Sequence, residues 1–364
     1  KNGYFGYSDR QTNLGDWLPA VAPNIAGDWV FPHAWPTVGE TTVTESSSYV
    51  VTLRLRGIEA NKQIVAAPGV VEQLDPTTWR FTLDHGRNFA LSISHDFVVR
   101  HVTTGSGITI DLYSFGESQT HVFDFALDTA QDSITRYSQL FGPCPYQRLV
   151  LVEADFPDGM EFSGLVFIST NWFANYPNKP ESWLMLIIVH ELSHQWWYSS
   201  VGDDQSRTPF MDETFAVYSE LLYVEQTYPG QDEWWWSFRV KVYQPQGYVD
   251  STVYDFNGAR PYINAVYLRG ALFLNEIRAT IGDNAFIAWL RNYARTQADR
   301  IASPAALWGL LSVDDYAKIA PIRARYLKIP DPLDNPAATA VATAPSQAPS
   351  TIIGAAASPT ARKP

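Results

Sequence analysis

The sequence predicts an α+β fold, an N-terminal β-sandwich-like domain followed by a mostly helical domain with a small sheet. Three observations predict it. Between about Thr41 and Phe115, apolar and polar residues alternate with a period of two. After Gly116 the apolar residues switch to three-four spacing, the helical period. From 180 to about 311 nearly every segment keeps that helical pattern. The chain has 364 residues, 46% of them hydrophobic. That length suffices for two cores, at about 100–200 residues per domain.

In the first part, Tyr49, Val51, Leu53 and Leu55 fall on one face, with Thr52, Arg54 and Arg56 on the other. Trp79, Phe81 and Leu83 repeat the alternation, as do Phe89, Leu91 and Ile93, then Ile108, Ile110 and Leu112. These are half-buried strands, and residues 1–115 form the expected β domain, although the first forty show no clear period. Val122, Phe125, Ala126, Ala130, Ile134, Tyr137 and Phe141 mark a helix that Gly142-Pro143 ends. Short apolar runs at 149–152 and 165–168 read as strands. Residues 116–329 form the second expected domain. From 330 to 364 the composition falls to Ala, Pro, Thr and Ser, too little apolar surface to offset ordering entropy, so a disordered tail is expected. Such stalks occur on exported or cell-surface proteins, a compositional lean only.

The formal charge of −12 argues against nucleic acid or an anionic membrane as the main partner. The single cysteine, Cys144, excludes an intramolecular disulfide. The apolar run 184–189 is far short of the ~18 residues of a membrane span.

Chemistry concentrates in His190-Glu191-Leu192-Ser193-His194. Residues 183–197 contain no Gly or Pro, and 183–189 are apolar all round, which predicts a helix buried in the core. Positions 190 and 194 then lie one turn apart on one face, so both imidazoles reach one Zn²⁺. Glu191 projects beside the metal, placed to take a proton from bound water. Zinc needs a third protein ligand and leaves the fourth position to water. Glu213 follows after the eighteen residues 195–212 and opens a helical pattern over 212–228. By itself it also reads as a helix N-terminal acid favoured by the dipole. Glu220, two turns on, reads either as a carboxylate orienting a ligand histidine or as a surface acid.

The HExxH motif followed by eighteen residues and a Glu resembles the aminopeptidase N and leukotriene-A4 hydrolase family of gluzincin zinc metallopeptidases. Asp158-Gly159-Met160-Glu161-Phe162 resembles that family's GxMEN exopeptidase motif, with Phe162 in place of its Asn. Tyr267-Leu268-Arg269-Gly270 resembles its YxKG segment, with Arg269 in place of Lys. The resemblance covers roughly 115–328, as a thermolysin-like catalytic domain, with the family's large C-terminal helical domain expected to be absent from this sequence. It implies one zinc per chain on His190, His194 and Glu213, with Glu191 as catalytic base and Tyr267 as oxyanion donor. It also implies that Glu161, with Gly159 and Met160, binds peptide substrates carrying a free N-terminus. Two other readings stay open at this level. One is a zinc endopeptidase or other zinc hydrolase. The other is a non-catalytic peptide-binding module, with Trp234-Trp235-Trp236 as its surface.

Overall fold

The alternating segments become strands and the three-four segments helices, in a computed structural model that describes residues 5–331 and 333 apart from 26, 33–35, 58 and 117–119. Ser47–Arg54, Thr78–Gly86 and Val70–Asp75 form an antiparallel three-stranded sheet in that order. Leu53, Val51 and Tyr49 lie opposite Trp79, Phe81 and Leu83, so the alternation read from the sequence becomes one apolar face. A second antiparallel sheet orders Gly6–Tyr7, Thr12–Leu14, Leu91–Ser94 and Ile64–Ala66. The architecture is thus α+β, with sheets first and helices after.

The sheet that carries the site has five strands, in the order Phe97–Thr103, Thr109–Phe115, Arg148–Ala154, Leu165–Ser169, Gly159–Phe162. Arg148–Ala154 runs parallel to both its neighbours. It is buried on both faces, which is why it reads as a continuous apolar run. Leu149 and Leu151 face the helices, while Val150 and Val152 face a smaller cluster with Phe97, Phe115 and Phe167. Gly159–Phe162 is an edge strand, folded back on Leu165–Ser169 as an antiparallel hairpin.

One sheet runs across the division expected at 115/116. Asp111 lies opposite Val150 and Tyr113 opposite Val152, so the hairpin 97–115 pairs directly with strand Arg148–Ala154. The helical part also shares one continuous buried cluster with Phe81, Leu83 and Phe89 of the N-terminal sheets. The expected tail lies, from 334 onward, outside the described residues. Among the described residues no helix is long and apolar enough to cross a membrane.

Helix Trp183–Ser193 packs between the sheet and helix Thr120–Phe141. Ser182 caps it, its hydroxyl accepting from Met185 N at 3.2 Å. Every residue from Leu184 to Ser193 is buried, as a helix apolar all round requires. Gln195 fastens its end to the edge hairpin, donating to Phe162 O at 3.2 Å and accepting from Gly164 N at 2.9 Å. The hydroxyl of buried Tyr137 lies 3.1 Å from Val189 O and 3.0 Å from Ser219 O, spanning two helices. Helix Glu213–Thr227 begins at Asp212, whose carboxylate accepts from Glu213 N at 2.7 Å.

Helix Arg269–Ile281 comes so close to Glu213–Thr227 that a Cβ on Gly270 would overlap the Thr214 side chain. Thr214 in turn donates to Val266 O at 2.5 Å, fixing the wide turn Ile263–Leu268 that carries Tyr267. Gly270→Ala should therefore lower stability by about 1–3 kcal/mol through overpacking. Urea unfolding checks this; an unchanged midpoint would show that the two helices can separate freely.

Candidate metal centre and active site

The one-turn spacing on a buried helix brings the two histidines to one point. His194 Nε2 lies 3.3 Å from His190 Nε2, and Glu213 Oε2 lies 3.3 Å from His190 Nε2 and 3.6 Å from His194 Nε2. Each imidazole is held from behind. His190 Nδ1 is 2.9 Å from Glu220 Oε1, and His194 Nδ1 is 2.9 Å from Trp197 O. Those acceptors place the proton of each ring on Nδ1 and leave both Nε2 lone pairs facing inward. Donor atoms bound at about 2.0–2.1 Å around a tetrahedral ion sit about 3.3–3.4 Å apart. The two nitrogens and one carboxylate oxygen therefore fit zinc in both spacing and donor type.

Electrostatics point the same way. Burial alone would lower His190, but contacts with Glu213 and Glu220 outweigh it and raise the ring to about 9. His194 is raised by Glu161 and Glu213 against the same effect of burial. Burial pushes Glu213 upward, yet its hydrogen bonds to both histidines hold it well below the usual carboxylate range. A cluster that pulls protons onto its histidines attracts positive charge, and a metal ion supplies that charge without protons.

Glu191 stands beside this triad, buried, with Oε2 making no hydrogen bond to any described residue. Burial raises its carboxyl to about 8. The edge strand presses on it so closely that a Cβ on Gly159 would overlap the Glu191 carboxylate and crowd Ile187. Gly159 is thus a close-approach position, and only glycine lets strand and helix share the cavity wall. Glu161 also lines that cavity, which is about 280 Å³ in volume. Carboxylate oxygens of Glu161 and Glu191 and a nitrogen of His194 all lie within 4.8 Å of one another. Phe162 turns the other way, into the cluster with Phe5 and Phe167 at 5.5 and 5.8 Å, so the departure from Asn there leaves the Glu161 face intact. Met160 and Tyr267 line the cavity too, and the Tyr267 ring lies parallel to that of His190, centroids 6.1 Å apart. The structure brings His190, Glu191, His194, Glu213, Glu161, Gly159, Met160 and Tyr267 together, while Phe162 faces away.

A family model described as the Peptidase family M1 domain matches residues 125–326, more than half of the chain. The chain belongs to peptidase family M1. Among M1 relatives it is 25% identical over 223 residues to human endoplasmic reticulum aminopeptidase 2, covering 57% of this chain and 23% of the relative. It is 28% identical over 252 residues to aminopeptidase N of Lactobacillus helveticus, covering 62% and 29%. The chain spans about a quarter of the length of these relatives. The crystal structure of an M1 zinc metallopeptidase from Deinococcus radiodurans shares the fold, with a TM-score of 0.57 at 19% identity over 89% of this chain and 71% of that one.

Four further residues of the M1 site were not singled out in the motifs. Glu40, half-buried, brings a carboxylate oxygen within 4.8 Å of those of Glu161 and Glu213. Buried Gln205 donates to Glu161 Oε1 at 3.1 Å and to Asp212 Oδ2 at 3.0 Å. Arg239 grips the fully buried Glu220 through three contacts of 2.8–3.2 Å, which removes the surface-acid reading of Glu220. Arg260 lines the cavity from the turn before Tyr267. Only the Trp run could have hinted at Arg239: Trp235 is buried and donates to Glu220 Oε2 at 3.1 Å, so this tryptophan serves the site from within the core. Glu220→Gln should weaken metal retention about 10–100-fold, because His190 loses its orienting charge. Competition with a chelator, on variant protein shown folded by circular dichroism, measures it. Retention equal to the parent chain would remove Glu220 from the positioning role.

Proposed function

We propose that this chain is a zinc-dependent aminopeptidase that hydrolyses the first peptide bond of peptides with a free N-terminus. The observation that carries the reading is the pair of carboxylates Glu40 and Glu161, with oxygens within 4.8 Å of each other and of the candidate ligand Glu213. An exopeptidase must recognise something only a chain end carries. A free ammonium does so, and converging carboxylates bind it through charge-assisted hydrogen bonds. His190, His194 and Glu213 would hold the metal. Zinc, when bound, lowers the pKa of its water toward ~7 and polarises the scissile carbonyl.

The remaining steps belong to the chain's own groups. Glu191 takes the proton of the attacking water at its free Oε2 and delivers it to the leaving amine. The Tyr267 hydroxyl donates to the oxygen that gains negative charge. Glu161, held by Gln205, and Glu40 accept from the substrate ammonium and fix the first peptide bond against Glu191. The unpaired edge of strand Gly159–Phe162 offers backbone hydrogen bonds to an extended peptide.

The test compares a peptide with its N-acetylated twin on the zinc-loaded chain. The parent should cut only the free form, and Glu161→Ala should lose most of that ratio. Equal cleavage of both forms by the parent would replace this reading with the endopeptidase one. Glu191→Gln should keep the metal and lose about 10²–10⁴-fold in kcat. Wild-type turnover in that variant would assign proton transfer elsewhere.

A further inference from the structure

The cavity is strongly acidic at the metal end. Glu40, Asp158, Glu161, Glu191 and Glu213 all line it. Two arginines line it as well, and they differ in what they have left to offer. Arg239 is 7% exposed and committed to Glu220 through three contacts. Arg260 is exposed and makes no hydrogen bond or ion pair with any described residue. Its guanidinium carbon lies 4.3 Å from the centre of the Tyr243 ring, and Tyr243 lines the same cavity.

That stacking matters for what the side chain can do. A cation over an aromatic face gains attraction through one face of its plane. Its N–H donors lie in the plane, at the edge, and stay available in a fork that matches a carboxylate. The ring also restricts a long side chain, so less freedom is lost when a ligand binds. An unpaired arginine on an open surface is ordinarily a solvated charge. This one stands on the wall of a cavity with five carboxylates, none of which it meets. The protein's acids are directed at the metal and the ammonium end, and the cationic fork is left facing the cavity.

We infer that Arg260, held on Tyr243, is a subsite for a carboxylate of the substrate, so that the cavity selects short peptides carrying one negative group near the scissile bond. This rests on the peptide reading given above. The carboxylate has three sources: an acidic side chain on the first residue, one on the second, or the C-terminus of a di- or tripeptide. All three present the same planar acceptor to the same fork.

Binding to the zinc-loaded Glu191→Gln chain reads recognition without turnover. Three matched pairs separate the sources: Glu-Ala-Ala-amide against Gln-Ala-Ala-amide, Ala-Glu-Ala-amide against Ala-Gln-Ala-amide, and Ala-Ala-Ala against its amide. In one pair the carboxylate form should bind about tenfold more tightly, the lower end for a charge-assisted pair at an exposed site. Adding Arg260→Gln should bring that ratio to within about twofold of unity. Equal affinities in all three pairs, or a ratio that survives Arg260→Gln, overturns the subsite. Hydrolysis of alanine nitroanilide by the parent chain, a substrate with no carboxylate, reports on the peptidase reading separately. If that substrate is cut while the pairs show no preference, only the subsite fails. If it is not cut and no peptide binds, both fail.

Discussion

The site depends on one buried carboxylate that is not itself a candidate ligand. Glu220 has no exposure, yet it accepts from His190, Trp235 and Arg239. Burial alone would raise its pKa, and Arg239 followed by His190 more than reverses that. A buried charge with three donors is tolerated where an unpaired one is not. Glu220 stands on the helix that begins at Glu213, and its partners come from the motif helix and from the stretch 232–240. The orientation of His190 is thus a property of how those segments pack, and disturbing any of them reaches the metal.

A second constraint is proximity. The edge strand and the motif helix meet at Gly159 and Glu191 with no room for a methyl group. Gln195 draws the two together from the other end, through Phe162 O and Gly164 N. This closeness helps bury Glu191, and burial raises its carboxyl to about 8. It also puts Glu161 and Glu191 on adjoining walls, so the group proposed to hold the substrate lies beside the group proposed to act on it.

What was legible in the sequence is what a single element determines. His190 and His194 are one turn apart on one helix, and the apolar run before them announced that this helix is buried. Glu213 was legible through its spacing, with eighteen residues between it and His194, and the resemblance which that spacing carries. Glu40, Gln205 and Arg239 were not. Each reaches the site from a distant segment, and Glu40 stands 173 residues before Glu213.

 In plain separations, Arg239 stands 19 residues from Glu220 and Gln205 stands 44 from Glu161, and no local pattern links either pair. The pairing across position 115/116 was not legible for the same reason. Alternation announces a strand such as Thr109–Phe115 but says nothing about its neighbour, and here that neighbour is Arg148–Ala154, beyond a whole helix. Phe162 belongs in this group as well: its departure from the motif is explained only by Phe5 and Phe167 on the far side of the sheet.

The shared sheet bears on how this protein can be divided. Strand Arg148–Ala154 is covered on one side by Thr109–Phe115 and on the other by Leu165–Ser169. A fragment beginning at 116 would strip away the first cover and leave a row of unpaired backbone groups beside Leu149, Val150, Leu151 and Val152. Such an apolar, exposed edge is a template for joining other chains. A piece that keeps strand Arg148–Ala154 paired on both sides therefore has to reach back past Phe97, because the hairpin 97–115 is what covers that edge.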